Sequence, residues 1–238
     1  MYQKIILLFT FITVAVVSHG KTLTISTIEN EPVSDICGLI MASVYKKAGH
    51  QIKIKSLSAR RALSLSSTGK TDGELFRVKA VAEQYPELIR LSVPIYQIKP
   101  SVFTKNKQVK VNGWESLRSY SIGILRGVRY AEAATEKMNR HLSNSLDSMF
   151  KMLDADRFDI IVTSKLSGLI TLRQINMTDR INILEPPVIQ IPLYHFLHKK
   201  NQKLVPQLEK ALKTMKGDGS LTRLIKQSEQ KVIAKFSK

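Results

Sequence analysis

Short alternating segments and longer helical patterns follow one another along the first half of the chain. Residues 23–28 (LTISTI) and 51–57 (QIKIKSL) alternate apolar and polar residues, which is typical of half-buried strands. Between them, apolar residues recur at helical spacing up to Gly49, which we expect to end that helix. A short helix is predicted over the segment SARRALSLSS, with Ser58 as a possible cap. This order predicts an α/β fold in which helices connect the strands of a sheet.

A second α/β series begins after a polar break at residues 105–113 (KNKQVKVNG), which predicts a boundary between two lobes. Strands are expected at residues 121–125 and at residues 158–162, which are apolar except for Asp159. Leu146, Met149, Phe150 and Leu153 have the spacing of one buried helix face. The chain closes with helical patterns rich in leucine and lysine.

The first 20 residues have the layout of a secretory signal. One lysine precedes an apolar run from Ile5 to Val17, and small residues stand before a plausible cleavage site at Lys21. The run is short for a membrane span, although an uncleaved N-terminal anchor is the alternative. We therefore expect residues 1–20 to be removed and the remaining chain to be periplasmic.

The chain is strongly basic, with 37 lysines and arginines against 19 acids and a formal net charge of +18. These cations are scattered and lack interleaved aromatic residues, which does not favour nucleic acid as a partner. The predicted export of the chain also argues against a nucleic-acid partner. They predict a solvated basic surface that attracts anionic ligands or an anionic envelope surface. The single cysteine, Cys37, rules out an internal disulfide and fits a buried, inert thiol on a helix face.

Residues 69–96 carry the strongest candidate chemistry. Asp72, Glu74 and Arg77 lie close together between apolar segments and are predicted to share a turn. A guanidinium offers paired donors to a carboxylate, and the acids offer acceptors to an ammonium, so this group could bind a small zwitterion. The alternative is that Glu74 and Arg77 form an ion pair with each other on a helix face.

Other candidates follow the ends of predicted strands, where α/β proteins bind ligands. In the first half these are Glu31, Ser34, Arg60 and Arg61. In the second half, Gly127, Val128 and Arg129 stand at a strand-to-helix junction whose free N–H groups suit an anion, with Arg126 beside them. Ser164 follows the buried strand. The sequence shows no metal-ligand spacing, no phosphate loop and no catalytic triad, so we expect no metal, no cofactor and no enzyme activity.

The ordered set of motifs resembles the family 3 extracellular solute-binding proteins, the periplasmic receptors of bacterial amino-acid uptake. The segments that carry the resemblance are GKTDGELFR, LIRLSVPIY, SIGILRGVR, DRFDIIVTS and LEKALKTMKGDGSLTRLIK. The resemblance implies a type II periplasmic binding protein fold: two α/β lobes, each a mixed sheet flanked by helices, joined by two crossover strands. It implies a first lobe of residues 21–104 plus 195–238 and a second lobe of residues 105–194, with crossovers near residues 99–105 and 194–199.

The resemblance also implies roles for single residues. Arg77 looks like the family's carboxylate-binding arginine, and Gly127 with Val128 and Arg129 looks like its glycine-led helix start. The family's ammonium-binding acid, five residues after Asp159, is here the neutral Ser164. The aromatic-rich first loop of the family is also replaced by ENEPVS. Either Glu31 or Glu74 takes the place of that acid, or the ligand is not a standard amino acid.

The expected function is therefore the capture of a small polar, carboxylate-bearing ligand for an ABC-type uptake system. The receptor is expected to be a monomer that binds a membrane permease. A sensing subunit that presents its ligand-bound form to a membrane signalling receptor is an alternative, because both roles use the same closure. A dehydratase on the same scaffold is a further alternative, with Glu74 as its acid–base candidate.

Overall fold

The computed structural model describes residues 21–236, so the predicted signal lies outside the described residues. The strands are β1 (Thr22–Ile28), β2 (Gln51–Leu57), β3 (Gly73–Arg77), β4 (Leu88–Arg90), β5 (Tyr96–Ile98), β6 (Pro100–Thr104), β7 (Ile122–Leu125), β8 (Arg140–Ser143), β9 (Ile160–Ser164), β10 (Asn182–Leu184) and β11 (Ile191–His198). The helices are α1 (Pro32–Lys47), α2 (Ala59–Ser67), α3 (Val81–Gln84), α4 (Arg129–Ala134), α5 (Leu146–Asp154), α6 (Lys165–Gln174), α7 (Val205–Gly217) and α8 (Ser220–Phe236), with 3₁₀ turns at Glu115–Leu117 and Lys199–Leu204.

Two mixed sheets define two lobes. The first sheet has the order β2-β1-β3-β11-β4, with β5 also paired to β11, and the second has the order β10-β6-β9-β7-β8. In the first sheet β1 is parallel to β2 and β3, and β11 is antiparallel to its neighbours. In the second sheet β7 is parallel to β8 and β9, while β6 is antiparallel to β9 and β10. The predicted α/β class with two lobes is confirmed.

The passages between the sheets differ from the expected crossovers. Residues 100–104, which the sequence assigns to the first lobe, form β6 of the second sheet, and only Lys99 separates β6 from β5. On the return, β11 begins at Ile191, so residues 191–194 lie in the first sheet rather than in the second lobe. The polar break that suggested the boundary is a loop within the second lobe, because the hydrophobic strand before it already pairs with β9.

The first-lobe core lies between the first sheet and the layer formed by α1, α7 and α8. Helix α1 begins at Pro32, where the missing N–H and fixed φ of proline are favourable, and ends before Gly49 at a φ of 81°. Its apolar stripe, including the fully buried Cys37, faces the sheet; this confirms the predicted buried thiol, whose pKa burial raises. Ile25 of β1 points into this core, whereas the next residue, Ser26, faces α2 on the other side of the sheet.

Helices α5 and α6 cover the second sheet, and α6 also contacts the first lobe. Leu166 and Ile170 of α6 pack into the same core cluster as α1 and α8. The side-chain amide of Gln174 donates to the carbonyl of Phe236, the last residue of α8, at 2.8 Å. The two lobes are therefore joined by a packed seam between α6 and α8 in addition to the two chain passages.

Among the described residues, no helix is long and apolar enough to cross a membrane.

Candidate functional site

A small cavity lies where the two lobes meet beside the chain passage at Lys99. Its volume is about 90 Å³, and its walls come from the start of α1, the β5–β6 passage, the start of α6 and the middle of α8. Val33 at the start of α1 and Ser164 at the end of β9 both line it, so the first turns of α1 and α6 approach the same space. This is the edge where helix-connected strands present their ligand-binding loops.

The charged side chains around this cavity are held by specific partners. Tyr96 donates its hydroxyl proton to the Glu229 carboxylate at 2.8 Å, and Lys165 contacts Glu185 at 2.5 Å. Burial, and then the nearby Glu229 charge, raise the pKa of Tyr96, so this tyrosine stays a donor. The Lys165 backbone N–H donates to the Lys99 carbonyl at 2.9 Å, which ties the start of α6 to the passage between the lobes.

Glu74 and Arg77 lie on strand β3 and form a buried ion pair. Both Nε and Nη2 of Arg77 contact Oε1 of Glu74, at 2.7 and 2.5 Å, and Nη2 also donates to the Ala59 carbonyl at 2.8 Å. The Glu74 side chain is fully buried and the Arg77 side chain is 13% exposed. The pairing that the sequence left as an alternative is therefore present, although on a strand rather than on a helix face.

Neighbours of Glu74 satisfy its remaining oxygen. Ser26 of β1 donates to Oε2 at 2.7 Å, and this serine faces α2 because it alternates with the core residue Ile25. Burial raises the pKa of the Glu74 carboxyl, while Arg77 and the hydrogen bonds from serine act in the opposite direction. Glu74 thus orients the Arg77 guanidinium at the carboxyl end of β3, and it does not itself reach solvent.

Asp72 does not join this group, contrary to the prediction of a shared turn. It precedes β3, whereas Arg77 ends it, so the two residues lie at opposite ends of a five-residue strand. The Asp72 carboxylate accepts from the Thr24 N–H at 2.9 Å, from the Asn201 amide at 3.0 Å and from the Lys200 ammonium at 3.1 Å. Burial favours the neutral acid, but these three partners outweigh it and lower the pKa of Asp72. Asp72 fastens β1 to the 3₁₀ turn after β11.

The remaining first-lobe candidates follow strand ends as expected. Glu31 stands at the N-terminus of α1 with an exposed side chain, yet the protein atoms around it exclude enough water to raise its pKa. Ser34 instead donates to the Ile28 carbonyl at 2.6 Å and closes the turn before α1. Arg60 and Arg61 lie in the first turn of α2 and are exposed.

The second-lobe junction is partly occupied by the protein itself. The Gly127 N–H donates to the Glu132 carboxylate at 2.8 Å, and Arg126 donates from Nε to the Asn144 side chain at 3.0 Å. Gly127 has a φ of 87°, which a residue with a side chain adopts only with strain. Arg129 is exposed and Val128 half-buried, and α4, which begins at Arg129, has six residues.

Ser164 caps helix α6. Its hydroxyl accepts from the Ser167 N–H at 3.1 Å and donates to the Ser167 hydroxyl at 2.7 Å. The residue therefore has a structural role at the cavity wall and brings no charge to it.

Several residues near Arg77 have no signal in the sequence. Tyr194 of β11 is paired in register with Arg77, and its ring lies 4.4 Å from the guanidinium carbon of Arg90. Ser26 and Ala59 reach the Glu74–Arg77 pair from other elements. These contacts depend on long-range strand pairing, which no local spacing reveals. Within residues 21–236 there is also no cluster of acids, histidines and cysteine that could hold a metal ion.

Comparison with known proteins supports the fold. No family model matches the chain. An uncharacterized protein of Shewanella oneidensis is 26% identical over 230 residues, covering 91% of this chain and 86% of that protein. Among solved structures, an ancestral cationic amino acid solute-binding protein superimposes with a TM-score of 0.65 at 17% identity, covering 87% of this chain and 94% of that one. Substrate-binding domain 2 of Lactococcus lactis GlnP, in its open conformation, superimposes with a TM-score of 0.65 at 15% identity, covering 86% of this chain and 94% of that one.

The chain has the two-lobe fold of periplasmic binding proteins. A histidine kinase sensor domain with similarity to periplasmic binding proteins also superimposes, with a TM-score of 0.59 at 14% identity, covering 87% of this chain and 95% of that one. The fold thus occurs in amino-acid-binding proteins and in sensor domains alike.

Proposed function

We propose that the protein is a non-enzymatic solute receptor that closes its two lobes over a small polar ligand bearing a carboxylate. The observation that carries the proposal is the cavity between the lobes, to which both α1 of the first lobe and α6 of the second contribute. A ligand that touches both lobes stabilises the closed arrangement by the contacts that only this arrangement offers.

Arg77, which ends β3 and does not itself line this cavity, is the proposed carboxylate-binding residue. Glu74, buried behind it, fixes the guanidinium through Nε and Nη2 and neutralises the charge in the absence of ligand. A guanidinium has five N–H donors, so one that is already oriented retains donors for a second acceptor. Ser164 lines the cavity and remains a candidate for a further contact with the ligand. The candidates that do not line it are Glu31, Arg61, Arg126, Gly127, Val128 and Arg129.

Delivery to an ABC-type permease is the role we propose for the closed receptor, in a periplasmic compartment. A domain of GlnP and other amino-acid-binding proteins with the same fold support this choice. A sensing role is the second candidate, because a histidine kinase sensor domain shares the fold. In both roles the ligand-bound form is what the membrane partner recognises.

A thermal-shift screen of the full chain tests the proposal. The panel contains neutral, acidic and basic amino acids, dicarboxylates and polyamines without carboxylates. We expect at least one carboxylate compound to raise the melting temperature with concentration, since a ligand that binds only the folded state stabilises it by mass action. If polyamines bind and every carboxylate fails, or if added compound is converted to product, the proposal is wrong.

A further inference from the structure

The positive charge is divided unevenly between the lobes. Residues 21–99 and 191–236, which build the first lobe, contain 22 lysines and arginines and 10 acids, an excess of 12. Residues 100–190, which build the second lobe, contain 13 lysines and arginines and 9 acids, an excess of 4 positive charges. A requirement for solubility alone does not explain why one lobe holds most of the excess.

Much of this charge lies on the outer surface of one helix layer. Helices α1, α7 and α8 share one side of the first sheet, and their inner faces form the core. Their exposed outer positions carry nine cations: Lys46, Lys47, Lys210, Lys213, Lys216, Arg223, Lys226, Lys231 and Lys235. Lys210, Lys213 and Lys216 are spaced three apart and therefore share a face of α7.

The acids of this layer are too few to neutralise it. Asp35 pairs with Lys235 at 2.6 Å, Asp218 with Lys47 at 3.9 Å, and Glu209 with Lys213 at 3.8 Å, while Glu229 accepts from Tyr96. Within residues 21–236, no acid lies within 4.0 Å of the other six cations: Lys46, Lys210, Lys216, Arg223, Lys226 and Lys231.

A groove runs between the three helices in this basic layer. Its volume is about 310 Å³, and its lining comprises the cations Lys47 and Arg223, the apolar Met215 and Leu224, and the polar Ser43, Ser220 and Gln227. Two cations in one groove suit the phosphate of a lipid headgroup, and the half-buried Leu224 offers an apolar contact beside them.

We propose that this outer helix layer docks on a membrane surface rich in anionic phospholipids. Basic residues near such a surface are attracted by its negative potential, and the attraction decays within about one Debye length, about 10 Å at 0.1 M salt. Docking would hold the first lobe at the membrane where a membrane partner is found. The proposal does not depend on which solute the cleft binds.

Vesicle co-sedimentation of the full chain tests this docking. The test variant combines Lys210→Gln, Lys216→Gln and Lys226→Gln, which removes three exposed cations without an ion pair. The matched control combines Lys107→Gln, Lys110→Gln and Lys137→Gln, which removes three exposed lysines of the second lobe. Both variants keep residues 1–20, so any membrane affinity of that apolar segment is the same in both.

We expect binding to vesicles of phosphatidylglycerol and phosphatidylcholine, and weaker binding to phosphatidylcholine alone. The test variant should lose at least about tenfold in affinity for the anionic vesicles, since each basic residue contributes measurably to such binding. The control should lose less than about threefold, and 0.5 M salt should remove the difference between the variants. Equal losses in the two variants, or no preference for phosphatidylglycerol, would overturn the proposal.

Discussion

At the scale of single residues, the buried Glu74–Arg77 pair matters both for the free energy of unfolding and for the orientation of the proposed ligand-binding guanidinium. Ser26 of β1 donates to Glu74, and Arg77 donates to the Ala59 carbonyl of α2, so the pair on β3 is tied to two further elements. A buried pair is sensitive to loss of one partner, because the other charge is then left without compensation. The exposed Glu115–Arg118 pair has the same residue types and the same spacing, but its side chains are 75% and 52% exposed.

Arg77→Met should lower the free energy of unfolding by about 3 kcal/mol, because Glu74 is left buried without its partner. Arg118→Met, the matched control, should leave the free energy of unfolding nearly unchanged, because solvent screens this exposed pair. The double variant Glu74→Gln/Arg77→Met should recover part of the loss and remain unable to bind the ligand found in the screen. Urea denaturation measures the free energy of unfolding, and calorimetry measures the affinity for the ligand. Undiminished affinity in a folded double variant would show that Arg77 does not bind the ligand.

His195 is a buried histidine whose role is structural. It lies on β11, fully buried, with Nδ1 3.1 Å from the Leu75 carbonyl and Nε2 2.8 Å from the Tyr45 hydroxyl. The carbonyl can only accept, so Nδ1 carries the proton and Tyr45 donates to Nε2. Burial lowers the pKa of His195 to about 4. The residue links α1 to the first sheet as a neutral ring.

Stability should fall as the pH drops from about 6.5 towards 4, because the unfolded chain, with a histidine pKa of about 6.5, then binds a proton that the folded chain excludes. The neutral state of His195 contributes about 3 kcal/mol to the free energy of unfolding. This contribution is fully present above pH 6.5 and is lost as the pH falls towards 4. Urea titrations at pH 7, 6 and 5 give the free energy of unfolding of the wild type and of His195→Gln. The free energy should fall more steeply with decreasing pH in the wild type than in the variant. Parallel curves for the two proteins would contradict this assignment.

At the scale of elements, the start of α6 combines a cap with a place at the cavity wall. Ser164 ends β9 and caps α6 through the Ser167 N–H. Serine and aspartate are about equally good at this position of a helix, whereas alanine is poor. The charge at the cavity can therefore be changed without losing the cap.

Ser164→Asp should leave the free energy of unfolding within about 0.5 kcal/mol of the wild type, while Ser164→Ala should lose about 1 kcal/mol. The new carboxylate should favour ligands with an ammonium group over matched carboxylates without one. Ser145→Ala removes the corresponding cap of α5 and serves as the control for an effect on stability alone. Calorimetric titration with a matched pair of ligands gives the preference. An unchanged preference in Ser164→Asp would place Ser164 outside the ligand site.

Local pattern predicted these elements better than it predicted their partners. The alternation in LTISTI and QIKIKSL corresponds to β1 and β2, and the stripe through Cys37 corresponds to α1. The expected turn around Asp72 and Arg77 is instead strand β3, because pairing with β1 and β11 overrides the local preference of its glycine and charged residues. The position of Asp72 followed from that pairing and could not be found from sequence spacing.

At the scale of the whole molecule, the lobes are coupled by more than two chain passages. Leu166 and Ile170 of the second lobe are buried in the first-lobe core, and Gln174 bonds to the end of α8. Two lobes that share a core are expected to unfold together. Movement between the lobes must preserve or reshape this seam.

The single tryptophan, Trp114, lies in the second lobe and offers a local probe of unfolding. In the wild type, the urea transition followed by its fluorescence should coincide with that followed by far-ultraviolet circular dichroism, which reports both lobes. Leu166→Ala with Ile170→Ala should separate the two transitions, because the second lobe then loses its apolar contacts with the first. Met149→Ala, which is confined to the second-lobe core, is the control and should destabilise without the same separation. Coincident transitions in the seam variant would mean that the hinge passages alone couple the lobes.

The sequence by itself determined the α/β class, several of the strands and helices, the buried state of Cys37 and the excess of positive charge, because these follow from local periodicity and composition. Only the tertiary structure decided that Arg77 pairs with Glu74, that Asp72 lies at the far end of β3 and that the basic residues gather on one helix layer. It also moved β6 into the second sheet. Each of these depends on contacts between residues distant in the chain, and such contacts are fixed by strand pairing and core packing rather than by spacing.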